Sequence, residues 1–418
     1  MLRKWIALAL TLMLLTGVSF ATEVADETPA PAFVDAKIIT KVLDEGQIVA
    51  GVRLEWDAPF TAGALTTASF AVNGYTIIGL YVNEDGVWKH AAAAGKYVFL
   101  EFEDPAGIGT GTHNTLQYKD GGNVLRDLTI DIQSFYDMNL YTAKEYIHYE
   151  IDDYLALSET TSGDATDYRL FIPEGWEDEK LPLVIWLHGA GERGSDNFAQ
   201  LAANRGALNF SDAEAQAAHP CFVLAPQAHE TGWDEFALAN INQITLGLIE
   251  NFNVDAARIY VAGCSMGGRG SKALVLAYPD MIAGALVTAN ASFSDDEGEL
   301  KAFAEVPMWL ITAADDSGGE AGATLAANVE VIEGLGINIL SCLGEEGLNG
   351  FLRGQEAVAD VRRIIDAAEA AGANMIASTY IVGTVLPAAH WSWMAATDNE
   401  AVRGWLFSQV NEVPYMGE

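Results

Sequence analysis

Basic residues are scarce. The 418-residue chain has 22 Lys and Arg against 58 Asp and Glu, a formal charge of −36. A field of that sign repels phosphate backbones and anionic lipid surfaces, so nucleic-acid and membrane-surface partners are excluded. Cysteine is scarcer: Cys221, Cys264 and Cys342 make three in all, an odd number without framework spacing, which argues against a disulfide scaffold. No His or Cys cluster has metal-ligand spacing, and neither a phosphate loop nor a dinucleotide fingerprint occurs. No metal and no cofactor is therefore expected. After residue 21 no apolar run approaches the length that crosses a bilayer. The acidic excess fits both salt adaptation and an ordinary acidic extracellular protein.

What is present begins with an export signal. Residues 1–21 read as a signal peptide: Arg3 and Lys4, an apolar stretch over 5–18, then Ser19 and Ala21 before Thr22. Residues 22–31 read as a flexible leader. A secreted protein, extracellular or periplasmic, with no membrane span in its mature form is expected. Over 32–149, period-two segments at 47–56, 75–82, 96–102 and 125–132 alternate with turns such as Asn83-Glu84-Asp85-Gly86 and Asp120-Gly121-Gly122. That pattern predicts a small all-β sandwich. Over 150–418, strand-like runs at 168–172, 183–187, 222–225, 258–262, 285–288, 308–311 and 375–382 alternate with helical stretches, of which 236–251, 269–278 and 357–371 are clearest. The alternation predicts an α/β domain, a mostly parallel sheet with helices on both faces, whose site gathers at the carboxyl ends of the strands.

The richest segment is Ile259-Tyr260-Val261-Ala262-Gly263-Cys264-Ser265-Met266-Gly267-Gly268. An apolar run leads into Gly-x-Ser-x-Gly and a helix-compatible stretch follows, the order of a nucleophile elbow. A serine nucleophile needs a base. Of the seven histidines, His390 alone follows Ser265, the chain order of the α/β-hydrolase triad. The acid should follow the strand at 306–312, where Asp315 and Asp316 compete. The oxyanion hole needs two backbone N–H groups. Met266, after the nucleophile, supplies one. The loop His188-Gly189-Ala190-Gly191-Glu192-Arg193-Gly194 supplies the other, from Ala190 or, failing that, Gly191. His188 precedes the serine and is read as shaping that loop. Trp233, Trp391 and Trp393, with Gly191, are candidates for the substrate pocket, although each tryptophan equally suits a core.

Three runs together, Leu187-His188-Gly189-Ala190-Gly191-Glu192-Arg193-Gly194, Val223-Leu224-Ala225-Pro226-Gln227 and Gly263-Cys264-Ser265-Met266-Gly267-Gly268, carry a resemblance. The chain resembles the secreted bacterial esterases related to polyhydroxybutyrate depolymerases, also called predicted peptidases, several of which carry an N-terminal immunoglobulin-like domain. The resemblance implies that label for the sandwich. It also implies Asp316 as the acid, since the family's acid loop reads His-Gly-x-x-Asp and Thr312-Ala313-Ala314-Asp315-Asp316 aligns with it. The family's histidine precedes a Ser-Trp pair, matched by Ser392-Trp393. Two departures stand out: Thr312-Ala313 replaces His-Gly, and Ser317-Gly318-Gly319 replaces an apolar-Pro stretch. Residues 320–355 also look longer than the family needs, as a lid, an oligomer contact or a surface insertion.

These readings converge on a serine carboxylesterase that uses Ser265, Asp316 and His390 on a small-molecule or polymeric ester. A peptidase with the same triad and a polyester depolymerase are the alternatives within hydrolase chemistry. A non-catalytic surface-binding protein is the alternative outside it. Oligomers through the sandwich or through 320–355 are compatible with the sequence.

Overall fold

The computed structural model describes residues 30–105, 113–160, 163, 165–294 and 296–417. The expected signal peptide 1–21, most of the leader 22–31, and Asp295 lie outside the described residues.

The first region is all β. Strands β1 (Phe33–Leu43) and β2 (Gly46–Thr61) form a long hairpin, flanked by β10 (Glu145–His148), parallel to β1, and by β5 (Ala94–Phe102) and β4 (Ile77–Asn83). A three-stranded sheet of β3 (Phe70–Val72), β8 (Ile130–Ser134) and β9 (Leu140–Ala143) faces it. Alternate residues point into the space between, so Ile38, Val52, Leu54, Val98 and Leu100 meet Phe70, Val72, Ile130 and Ile132. Trp56 anchors this core, edge-on to Phe33, Phe60, Tyr136 and Tyr141 at 5.2–6.1 Å between ring centroids. The run at 125–132 is not one strand. Leu125 ends β7 (Gly122–Leu125), which hairpins with β6 (Leu116–Lys119), and Ile130 opens β8. Between them Tyr146 Oη accepts the Leu128 N–H at 3.0 Å and donates to Arg126 O at 2.7 Å, so these backbone groups are satisfied without a ladder.

The second region is built on a nine-stranded sheet. Its strands are β11 (Leu155–Glu159), β12 (Thr166–Phe171), β13 (Leu181–Leu187), β14 (Phe222–Pro226), β15 (Val254–Cys264), β16 (Gly284–Thr288), β17 (Met308–Ala313), β18 (Ile339–Cys342) and β19 (Met375–Tyr380). They lie in the order β11-β12-β14-β13-β15-β16-β17-β19-β18. β12 pairs antiparallel with both β11 and β14 near one edge, and the remaining pairings are parallel. All seven residues of β13 are buried, as expected of a strand covered on both faces. The period of two sends Val184 and Trp186 into one core, and Leu183, Ile185 and Leu187 into the other. Helices α1 (Glu235–Asn251), α2 (Met266–Ala277), α3 (Glu297–Ala304), α4 (Glu320–Gly334), α5 (Gly354–Ala371), α6 (Ser392–Asp398) and α7 (Glu400–Phe407) cover the two faces. Asp234 caps α1, its side chain accepting the N–H groups of Phe236 and Ala237.

Residues 320–355 are built into the domain rather than laid on its surface. α4 drives Leu325, Val329 and Ile332 into the core, and β18 pairs in parallel with β19 as the far edge strand. The segment escaped a helix reading because Ala and Gly occupy both faces of α4, which blurs the 3.6-residue period.

The sandwich and the sheet domain share a packed boundary. Val42 of β1 and Leu116 of β6 join the hydrophobic cluster that contains Trp186 and Tyr260. Arg205 bridges them: one Nη donates to Val42 O and to Glu150, both at 2.7 Å, and the other holds both Asp212 oxygens at 2.6 Å. Its guanidinium is mostly shielded from water, so the partners left behind by its removal would be incompletely solvated. Arg205→Ala is expected to lower stability by about 2 kcal/mol, a loss to be read from chemical denaturation against the parent. A shift below a few tenths would show that the bridge contributes nothing net.

Candidate active site

Four loops converge at the carboxyl ends of β13, β15, β17 and β19. The sharpest follows β15. Ser265 has φ 54° and ψ −114°, a strained conformation for a residue with a side chain, and α2 begins at the next residue. The turn closes because its flanking residues lack side chains. A Cβ on Gly263 would stand 2.5 Å from Gly267 O, and one on Gly267 would stand 1.8 Å from Leu187 O. The Asn290 amide donates to Ser265 O at 3.1 Å and pins the turn from the β16 side.

His390 lies in a 3-10 turn, Ala389–Trp391, after β19. Its Nε2 is 3.0 Å from Ser265 Oγ and its Nδ1 is 2.8 Å from Asp316 Oδ2. An ionised carboxylate only accepts, so the ring proton sits on Nδ1 and the Nε2 lone pair faces the serine hydroxyl. Asp316 is 5 % exposed, and its neighbour Asp315 points elsewhere, accepting the Gly383 N–H at 2.9 Å. The two candidate acids thus diverge at the strand end, and Asp316 is the one that reaches His390.

The loop after β13 lies against the serine. A Cβ on Gly189 would be 3.6 Å from Ser265 Cβ. Ala190 opens a 3-10 turn and Met266 opens α2. Amides at helix starts have no intrahelical acceptor, which leaves both N–H groups available to a ligand. His188 holds the loop from below. It is wholly buried, and its Nε2 accepts the Ala228 N–H at 2.9 Å, which puts the proton on Nδ1. Burial pushes its pKa down to about 4, so the ring stays neutral.

Ser265 and His390 open onto a cavity of about 330 Å³. Gly191, Trp391 and Trp393 line it, as do Ala190 and Gly189. Trp233 does not: it packs 4.9 Å from the His188 ring and donates to His188 O at 3.2 Å, and a Cβ on Gly270 would run into it. The wall also contains residues that sequence reasoning missed, namely Glu192, Asn204, Asp44, Glu45, Tyr118 and Asn123. The last four come from the sandwich. Asn123 Nδ2 donates to Gly191 O at 3.0 Å, tying the β6–β7 hairpin to the loop beside the serine. Glu192 was legible only as part of a motif. Asp44, Glu45, Tyr118 and Asn123 had no local signal, because their place depends on how two separately folded regions pack. Among the described residues no three His, Cys, Asp or Glu side chains are placed to hold a metal ion, and no helix is long and apolar enough to cross a membrane.

The nine-stranded sheet, the strained turn and the loops at its strand ends define an α/β-hydrolase behind an immunoglobulin-like sandwich. Residues 35–146 match the model of the esterase Ig-like N-terminal domain, and residues 166–337 match that of the esterase PHB depolymerase. The chain belongs with these esterases and is a hydrolase acting on ester bonds. A thermostable esterase of known structure is similar over 90 % of this chain and 99 % of its own, at 26 % identity and TM-score 0.71. The feruloyl esterase module of Clostridium thermocellum, at 12 % identity, 63 % and 91 % coverage and TM-score 0.39, is a slighter likeness. No curated protein matches the sequence significantly.

Glu192 is the most perturbed acid of the site. Burial pushes its pKa up from 4.5 to about 7, against the pull of its own N–H, the Asn204 amide and the Gly189 N–H. The folded state therefore holds this proton over a range where the unfolded chain has released it. Stability should fall as pH rises from about 4.5 to about 7 and level off above that. Glu192→Gln removes this titration. The variant is expected to gain up to about 3 kcal/mol on the parent between pH 4.5 and pH 8 in paired denaturation curves. Parallel curves would show that Glu192 titrates normally.

Proposed function

We propose that the protein is a secreted serine carboxylesterase, exported by residues 1–21, with a sandwich over 32–149 and a catalytic domain over 150–418. Ser265 attacks the ester carbonyl while His390 Nε2 takes its proton, and Asp316 orients the ring and stabilises the imidazolium. The N–H groups of Met266 and Ala190 hold the oxyanion. His390 then protonates the leaving alcohol, and a water that it activates hydrolyses the acyl-enzyme. The unbroken run from Ser265 Oγ to His390 and on to Asp316, at 3.0 and 2.8 Å, is the observation that carries this reading. The substrate is a small-molecule or polymeric carboxylic ester. The description of the matched family as a PHB depolymerase supports a polyester chain as the second reading.

Hydrolysis of p-nitrophenyl esters from C2 to C16, with peptide anilides alongside, tests the assignment. Ester turnover should exceed amide turnover and fall by about 10⁴-fold or more in Ser265→Ala. Asp316→Asn should lose about 10²- to 10⁴-fold, and Asp315→Asn should stay within a few-fold of the parent. Undiminished activity in Ser265→Ala would sink the mechanism, and faster anilide turnover would make the enzyme a peptidase.

A further inference from the structure

The turn that bears Ser265 is strapped to the end of β16 by both of its own backbone groups. The Ser265 N–H donates to Thr288 O at 2.9 Å. The Ser265 carbonyl accepts from Asn290 Nδ2 at 3.1 Å. Between those two anchors the chain passes through Ala289 at φ 50°, a left-handed conformation that is unfavourable for a residue with a Cβ. Gly268 makes room for the strap, since a Cβ there would stand 2.8 Å from Asn290 Cβ. The carbonyl that Asn290 holds belongs to the peptide between Ser265 and Met266. In a planar trans peptide the C=O and the N–H point in opposite directions. Fixing the Ser265 oxygen on one side therefore fixes where the Met266 N–H points on the other.

A side-chain amide can present either its oxygen or its nitrogen, and Lys272 decides which. It lies in α2, about two turns beyond the serine, and is only 6 % exposed. Its Nζ donates to Asn290 Oδ1 at 2.7 Å and to Ser292 O, and it stands 5.2 Å from the centre of the Phe293 ring. An ammonium only donates, so Asn290 must meet it with Oδ1, which leaves Nδ2 for Ser265 O. All three of these contacts are with neutral groups. Burial pushes the Lys272 pKa down from 10.5 to about 8, and Arg269 adds to the shift, so the cation is still the major form at neutral pH. An apolar side chain of similar length would avoid the cost of burying that charge. It would also leave the Asn290 amide free to turn. Among the described residues, Lys272 and Asn290 are both absent from the wall of the cavity beside Ser265, so neither touches substrate there.

We propose that Lys272 is a positioning residue for the oxyanion hole: its ammonium fixes the Asn290 amide, which fixes the Ser265–Met266 peptide and aims the Met266 N–H at the developing oxyanion. The proposal rests on the serine-esterase reading above and adds to it the group that orients one of the two oxyanion donors. The hydrogen bonds run in series from Nζ to Oδ1 and from Nδ2 to Ser265 O, and each donor in such a series polarises the next. A buried positive charge at its head strengthens the donor at its end, where negative charge develops in the transition state.

The test measures p-nitrophenyl ester hydrolysis by the full-length enzyme, with kcat expressed per reactive serine after titration with a p-nitrophenyl phosphonate. Lys272→Met should lower kcat by about tenfold and leave KM within about twofold of the parent. Asn290→Asp keeps an acceptor for Lys272 but has no N–H for Ser265 O, so it should stay folded and lose about 10²-fold in kcat. In an Asn290→Ala background, Lys272→Met should cost less than about twofold more, because its effect passes through Asn290. The inhibition constant of a trifluoromethyl ketone, which forms a tetrahedral oxyanion on the serine, should rise in each variant by the factor that kcat falls. A parent-like kcat in Lys272→Met or in Asn290→Asp would overturn the proposal. So would losses that multiply in the double variant, or inhibitor binding that stays constant while kcat falls. If Lys272→Met does not fold, Asn290→Asp and its inhibitor constant decide alone. An inert parent, or activity that persists in Ser265→Ala, removes the esterase reading itself, whereas an active parent with indifferent Lys272 and Asn290 variants removes only the positioning role.

Discussion

Everything at the site depends on how closely two pieces of backbone approach. The turn after β15 passes so near the end of β13 that a methyl group on Gly267 would stand 1.8 Å from Leu187 O. That contact holds the serine turn against the loop starting at His188, where a Cβ on Gly189 would stand 3.6 Å from Ser265 Cβ. The strain at Ser265, with φ 54° and ψ −114°, persists because the parallel pairing of β15 with β13 and β16 over-determines the strand leading into it. A side chain at Gly263 or Gly267 would force the backbone apart and displace Ser265 from His390.

A second constraint is electrostatic. The loop beside the serine is held by a neutral histidine and a carboxyl whose pKa is raised, both buried. His188 is neutral because burial disfavours the imidazolium, and its tautomer is set by the Ala228 N–H. Glu192 is pushed up for the same reason. Low dielectric thus disfavours charge within this loop. The acidic surface, at −36 overall, approaches the site at the rim, where Asp44 and Glu45 stand.

Much of this was legible beforehand. The elbow around Ser265 carries its own local instructions in Gly263 and Gly267, and His390 followed from chain order alone, with no other histidine beyond the serine. The parallel strands declared themselves through unbroken apolar runs such as 183–187, because a strand covered on both faces has no reason to alternate. Errors fell where the local signal is weak. The run at 125–132 looked continuous because a side chain, Tyr146, does the work of a neighbouring strand. α4 hid behind its alanines and glycines. Trp233 was a fair candidate for the pocket by type, and only packing against His188 and Gly270 assigns it to the support of the loop.

The sequence by itself determined the kinds of element, the identity of the strained turn and the chain order of serine, acid and histidine. These are consequences of periodicity and of backbone conformations open to few residues. The tertiary structure decided which of two adjacent aspartates turns toward His390, because side chains at a strand end diverge and only packing says which direction is inward. It also decided that a hairpin from the sandwich, some 220 residues before the serine in the chain, brings Asp44 and Glu45 to the rim of its cavity. No local rule encodes that contact, since it depends on the fit between two cores, through Val42, Leu116 and Arg205, and that fit exists only once both have folded.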